Sequence, residues 1–493
     1  MGHRNTAQAE ALVDGPPPFL LWLVMPNTAQ NVAKVYVARR ALLPTGFADN
    51  VRICVAQDGT FADISQDASH ESAVWLDGLV LPGMTNLHSH AFQRAMAGLT
   101  ERAGPVADTF WSWRQVMYRF LQELSPSDLS AIAAQLYIEL LRGGFTHVVE
   151  FHYLHRDPAG HLPANPAENA LTVCEAAAEV GISLTLLPSL YQQSGFGGAP
   201  LADSQRRFFL DDDEFARLWL WLQKHAGPSV RLGIAPHSLR AVTPAALLRS
   251  IAVCEQIDPT APIHLHMAEQ PQEVAASLAW SGLPPLTWLL DHVAVDARFC
   301  LIHATHCQPA ELCRLARQGA VVGLCPSTEA NLGDGLFAAP EFLAANGRFG
   351  IGTDSHVGTC ALDELRLLEY GQRLRHGRRN VLCVPGQTGN DTSLSTGTTL
   401  WQTASRFGAQ AAGCKKGEIS PGACADLVVL DTGLPTLFGK DAQTALDAAM
   451  FGPERDAVSD VMVAGRWVVQ NHHHPAEEKT AARYRQVVAR LCR

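Results

Sequence analysis

No apolar run in this chain of 493 residues approaches the ~18 positions that a membrane-crossing helix needs. Positive charge is scarce as well. The 38 lysines and arginines face 48 acidic residues, for a formal net charge of −10, and no basic stripe stands out. That balance argues against a nucleic-acid partner, whose affinity rests on phosphate neutralisation. The 12 cysteines are scattered, with no Cys-x-x-Cys pair. They read as reduced thiols of a cytoplasmic protein, not as a disulfide framework. Repeats and low-complexity stretches are missing too. Lysine is nearly absent from the middle of the chain: between His88 and Asp354 only Lys224 occurs, in the helical-looking segment 219–224.

What remains is the composition of a soluble globular enzyme, 47% apolar and 17% charged. The length suggests two or more core units. Near the start, the run Phe19–Met25 has the apolarity of a signal-peptide core. It follows three prolines, lacks a strong basic flank and has no clear cleavage site. Residues 1 to about 33 are therefore expected to be a poorly ordered extension.

Short strand-like stretches occur at both ends. They are Val35–Val37 and Val51–Val55 on one side, and Ala425–Leu430 and Val461–Val469 on the other. Together they predict a small β-sandwich domain built from both termini, residues 34–82 plus 400–475, with a C-terminal helix over 476–493. The middle alternates differently. Near-continuous apolar runs at Phe145–Phe151, Ser183–Leu187, Arg231–Ala235, Ile263–His266, Phe299–His303 and Ala320–Leu324 are separated mostly by stretches with helical spacing. About eight such units make an α/β domain of the (β/α)8 TIM-like barrel type over residues 83–399. The histidine run His472–His474 reads as a solvated loop.

Three fragments fit one metal site. His88-Ser89-His90 follows Val80–Leu87, His266 follows Ala261–Leu265, and Asp354 follows Arg348–Gly352. Residues i and i+2 of a strand share a side, so His88 and His90 can aim at one point. Three imidazoles and the Asp354 carboxylate suit one zinc ion, or less often iron, with a position kept for water. His264 also alternates with His266 but lies farther from the strand end and is read as structural. Glu269, three residues past His266, is placed to carry a proton from the activated water to a leaving nitrogen. His303 ends another strand, where an imidazole can align the water or stabilise oxyanion charge, with His306 as the competing choice. Asp354 can also accept a hydrogen bond from the nucleophile.

These motifs resemble the amidohydrolase superfamily, in its mononuclear deaminase branch, over nearly the whole chain from about residue 33. Members with two metals bridge them through a modified lysine, and no barrel strand here offers one, so a single metal is expected. A narrower resemblance is to the formimidoylglutamate deiminases. It rests on segments 86–98, 110–114, 150–155, 235–240, 266–270 and 326–335. That resemblance implies hydrolytic deamination of N-formimidoyl-L-glutamate to N-formyl-L-glutamate and ammonia in histidine degradation, and a homodimer. It further implies that Gln93, Arg114, Tyr153, His237 and Arg240 contact the substrate, a small dicarboxylate amidine. Paired N–H donors suit Arg114 and Arg240 to carboxylates. The competing reading is a deaminase of the same branch acting on a ring such as guanine, an adenosine derivative or a triazine.

Overall fold

The computed structural model describes residues 32–66, 73–102, 109–227, 229–383 and 395–492. The expected N-terminal extension lies outside them except at its last residues. Seven strands from the two ends of the chain form one sheet. Four come from the N-terminal side: β1 (Val32–Leu43), β2 (Gly46–Ala56), β3 (Phe61–Gln66) and β4 (Val74–Pro82). Eight further strands line the middle: β5 (Met84–Ser89), β6 (Phe145–His152), β7 (Ser183–Leu190), β8 (Val230–Leu232) with its continuation β9 (Ala235–Pro236), β10 (Ile263–Met267), β11 (Phe299–His303), β12 (Val321–Leu324) and β13 (Arg348–Ile351). The sheet is completed by β14 (Leu427–Leu430), β15 (Val458–Val463) and β16 (Arg466–Val469), in the order β16-β15-β14-β4-β1-β2-β3.

That sheet is antiparallel except where β1 lies parallel to β4. Its alternate residues serve two cores. Tyr36, Ile53, Phe61, Val80, Leu427 and Met462 gather in a private apolar cluster, while Leu79, Leu81, Val428 and Val461 join the core of the middle domain. The private cluster is also lined by Ile419, Ala423 and Ala425 from the approach to β14, where Phe61 N–H donates to Ala423 O at 2.8 Å. The expected sandwich thus takes the form of one continuous sheet closed over its own cluster by a loop. The β15–β16 turn, Ala464-Gly465, has positive φ at both residues, the two-residue hairpin geometry that matches strand twist.

The middle domain is a parallel barrel. β5, β6, β7 and β8 pair in that order, as do β10, β11, β12 and β13. Bridges Ile234↔Ile263 and Ser238↔His266 join the two groups on one side, and Ser89↔Asp354 closes the ring on the other. Every residue of β5, β6, β10, β11 and β12 is buried, which is why these strands read as unbroken apolar runs. Proline opens several of the connecting helices, as at Pro126, Pro244, Pro271 and Pro309, where the missing N–H costs nothing. The helix Thr396–Ala411 packs across β5 and β13, and a final helix spans Glu477–Leu491. His474, within the run read as a solvated loop, is instead buried, bonded to Val180 O at 2.9 Å. Its ring is held at both nitrogens, Nδ1 accepting Ala476 N–H at 3.1 Å, and the C-terminal helix that follows packs on α2 (Pro126–Arg142).

The chain passes from sheet to barrel at Gly83, whose N–H donates to Asp426 O at 3.0 Å. A Cβ at this position would lie 2.3 Å from Thr146 Oγ1 and 2.9 Å from Asp426 Cβ. Gly83→Ala should therefore lower unfolding free energy by ~1–3 kcal/mol through overpacking, read as a drop in denaturant midpoint with unchanged m-value.

Candidate active site

The barrel closes where β5 meets the segment after β13. Asp354 N–H donates to His88 O at 3.0 Å, and His90 N–H donates back to Asp354 O at 3.2 Å. Gly352 makes this approach possible, since a Cβ there would lie 2.8 Å from His88 Cβ. The seam thereby sets His88, His90 and Asp354 side by side. Nε2 of His88 and Nε2 of His90 each lie 3.5 Å from Asp354 Oδ1. One nitrogen of each of His88, His90 and His266 falls within 4.8 Å of the others, and His88, His303 and Asp354 form a second such group.

The protonation of these rings fits a cation. His90 Nδ1 lies 2.9 Å from Phe151 O, and His266 Nδ1 lies 3.1 Å from His237 O. A carbonyl can only accept, so each ring carries its proton on Nδ1 and turns a bare Nε2 to the centre. Burial holds the pKa of His88 and His266 well below the usual value and lowers that of His90, which keeps all three neutral. Among the described residues, neither ring nitrogen of His88 has a hydrogen-bond partner, nor does Nε2 of His303. Buried orphans facing a carboxylate are what a bound metal would satisfy, and three imidazoles with one carboxylate suit zinc or iron. His264 points elsewhere, its Nε2 2.8 Å from Ala411 O. Lys224, the one lysine of the middle segment, is exposed on its helix, away from any strand.

Glu269 and His303 stand beside this centre. His303 Nε2 is 3.8 Å from Glu269 Oε1 and 3.8 Å from Asp354 Oδ2. Burial raises the Glu269 pKa against the pull of His303 and Arg240. Burial alone would make His303 harder to protonate, but Glu269, Glu329 and Asp354 outweigh it and push it up to about 10. A dication in the centre would act in the opposite direction. His303 Nδ1 lies 3.2 Å from Glu329 Oε1, which also accepts Cys325 N–H at 2.9 Å. Backbone strain collects here. Ala268, His303, Ala304, Asp354 and His356 all have positive φ, unfavourable for residues with a Cβ and held by the surrounding hydrogen bonds.

A second layer braces these groups. Glu150 accepts Ser89 Oγ–H at 2.5 Å and Ala91 N–H at 2.7 Å, and burial pushes its pKa up to about 7. Asn86 clamps Thr353 through two hydrogen bonds, Nδ2 to Oγ1 at 2.7 Å and Oδ1 from N–H at 3.0 Å. His356 spans Thr353 Oγ1 and Ser89 Oγ at 2.8 and 3.2 Å. Buried Glu273 accepts the N–H groups of Ala268 and Glu269, both at 3.3 Å, which fixes the turn carrying Glu269.

The cavity above the centre is lined by His90, Gln93, Arg114, Tyr153, His237, Arg240, His266, Glu269 and Asp354, so all five expected substrate contacts face it. Trp113, Tyr118, Tyr191 and Phe208, which sequence reasoning did not single out, also line it, with Phe110, Met117 and Leu332. Gln93 Nε2–H donates to Tyr153 Oη at 2.8 Å. Arg114, on α1 (Phe110–Gln122), donates to Tyr191 Oη at 2.9 Å. Arg240 is 7% exposed, its Nη2 lies 4.0 Å from Glu269 Oε2, and its Nη1 has no partner among the described residues.

The sequence pattern described as "Amidohydrolase family" matches residues 79–468, and the chain belongs to that family. A second pattern, "Formimidoylglutamate deiminase HutF, N-terminal domain", matches residues 34–73. The chain is 50% identical over 457 residues to a formimidoylglutamate deiminase of Pseudomonas aeruginosa, covering 92% of this chain and 98% of that one. It is 28% identical to an 8-oxoguanine deaminase of the same organism, over 84% of this chain and 89% of that one. A crystal structure of an amidohydrolase from Brucella melitensis superposes with a TM-score of 0.87 at 45% identity, over 93% of this chain and 100% of that one.

Elemental analysis separates the roles of neighbouring histidines. His88→Gln and His266→Gln should lose metal affinity by more than the ~10–100-fold expected from removing an outer-layer partner. His264→Gln should keep its metal and lose only roughly 1–3 kcal/mol of stability from the broken bond to Ala411.

Proposed function

We propose that the protein is a zinc-dependent formimidoylglutamate deiminase with one zinc ion per chain, held by His88, His90, His266 and Asp354. The observation that carries the substrate is the buried guanidinium of Arg240, whose Nη1 has no partner among the described residues and whose Nη2 lies 4.0 Å from Glu269. A second arginine, Arg114, faces the same cavity. Desolvating a guanidinium without a full set of partners is costly, and a substrate carboxylate repays that cost through paired charge-assisted hydrogen bonds. N-formimidoyl-L-glutamate has two carboxylates for the two arginines. The similarity to the Pseudomonas aeruginosa formimidoylglutamate deiminase supports the same assignment.

Zinc in this position supplies the Lewis acidity that makes water nucleophilic near neutral pH. The chain's own groups do the rest. Glu269 takes a proton from the attacking water and passes it to the amidine nitrogen, a role suited to a carboxyl whose pKa burial has raised. Asp354 accepts a hydrogen bond from the same water. His303 Nε2, held by Glu329 behind it, stabilises the charge that develops on oxygen at the formimidoyl carbon. Gln93, Tyr153 and His237 orient the substrate around its carboxylates. One C–O bond forms and one C–N bond breaks. The amidinium and water yield N-formyl-L-glutamate and ammonium, a step in histidine degradation.

Among the described residues no helix is long and apolar enough to cross a membrane, and all twelve cysteines are free thiols. These support a cytoplasmic enzyme, and a homodimer completes the reading.

An ammonia-release assay tests the assignment. Turnover of N-formimidoyl-L-glutamate, with guanine, adenosine derivatives and triazines inert, is the expected result; the reverse order would install a ring deaminase in its place. Glu269→Gln should retain its zinc while kcat falls by roughly 10²–10⁴, the usual worth of a placed proton carrier. Light scattering on the purified, zinc-loaded protein should give twice the mass of one chain.

A further inference from the structure

The cavity wall also carries two phenols with no place in the mechanism so far. Tyr191 ends just past β7 and is 2% exposed; Tyr118 lies on α1 and is 6% exposed. Tyr191 Oη receives two hydrogen bonds, from Arg114 Nη2 at 2.9 Å and from Gln205 Nε2 at 2.8 Å. The amide orientation of Gln205 is fixed, because its Oε1 accepts Ala202 N–H at 3.0 Å. Both neighbours are therefore donors, and they use up the oxygen's accepting capacity. The phenol's own hydrogen must point elsewhere, and no described residue accepts it. Tyr118 Oη is buried, and the Gln205 amide acts on it only as a donor, so its own O–H has no acceptor among the described residues; the Arg114 guanidinium lies over its ring, 5.2 Å from the centroid. Two buried O–H donors thus flank the Arg114 guanidinium, close enough to Arg240 for both to act on its charge as well, and neither has an acceptor among the described residues.

Arg240 sits beside the reacting centre, within reach of Glu269. A carboxylate on the carbon that bears the reacting nitrogen would lie within its reach. Arg114 has no such contact and is held instead by the phenols. We propose that Tyr118 and Tyr191 complete, with Arg114, the seat for the distal carboxylate, and that they set the preference for a dicarboxylate substrate. Tyr191 has a double duty: its oxygen anchors Arg114 and its hydroxyl donates to the ligand. A buried O–H with no acceptor is expensive, and a carboxylate is the acceptor that two phenols and a guanidinium select together. Burial pushes the Tyr118 hydroxyl up to about 12, so it remains a donor across the working pH range.

This inference rests on the functional reading above, and the test separates the two. Steady-state rates are measured for the zinc-loaded parent, Tyr191→Phe and Tyr118→Phe, on N-formimidoyl-L-glutamate and on N-formimidoyl-L-2-aminobutyrate, which lacks the distal carboxylate. Zinc content and melting temperature monitor folding. The expected result is a KM for the dicarboxylate raised roughly ten- to a hundredfold in each variant, with kcat changed far less. On the monocarboxylate, kcat/KM should fall by no more than about threefold. Equal losses on both substrates, a fall in kcat at constant KM, or an unchanged KM would each overturn the assignment of the phenols while leaving the deiminase reading intact. A parent enzyme inert towards N-formimidoyl-L-glutamate would instead overturn the functional reading, and this seat with it.

Discussion

Eight parallel strands form a barrel only if the last finds the first, and in this chain that meeting and the chemistry share the same atoms. The amides and carbonyls of His88, His90 and Asp354 knit β5 to the end of β13, while their side chains converge on one point. The closure leaves no room for a Cβ at Gly352. Backbone at the seam is strained, with positive φ at Asp354 and His356, and the clamp of Asn86 on Thr353 holds it. The geometry of the candidate metal centre is accordingly tied to the closure of the barrel itself.

The site gathers far more carboxyl groups than cations. Glu150, Glu269, Glu273, Glu329, Asp334 and Asp354 are all buried around it, against Arg240 and His303. Burial raises the pKa of Glu150, Glu269, Glu273 and Asp334, the last to about 9. Such a surplus of acid is tolerable only where charge is neutralised by protons, by backbone N–H groups or by a cation. A metal ion at the centre is therefore part of the electrostatic balance of the barrel core as well as of its chemistry.

Much of this was legible in the sequence. Period-two spacing of His88 and His90, apolar runs without alternation, and polar residues at strand ends reflect rules of a few residues' range. They located the parallel strands and the convergent fragments. The outer layer was hidden for a definite reason. Glu329 reaches His303 and Glu150 reaches Ser89 across 26 and 61 positions, and nothing local marks a glutamate as a partner for either. Tyr191 ends the apolar run of β7 and reads as one more core residue. Its importance comes from Arg114 and Gln205, which arrive from other elements. His474 misled for the opposite reason: three successive histidines suggest solvent, while a carbonyl from a distant helix, that of Val180, holds one of them buried.

The two ends of the chain share one sheet, and β4 stands in its middle, flanked by β1 and β14. During synthesis one edge of β4 can be covered almost at once, but the other must wait until residue 427 has left the ribosome. Until then the nascent chain carries an open, strongly apolar strand edge next to the segment that bears His88. Vectorial synthesis therefore leaves this sheet incomplete until most of the chain has been made, because the second neighbour of β4 comes from near the C-terminus.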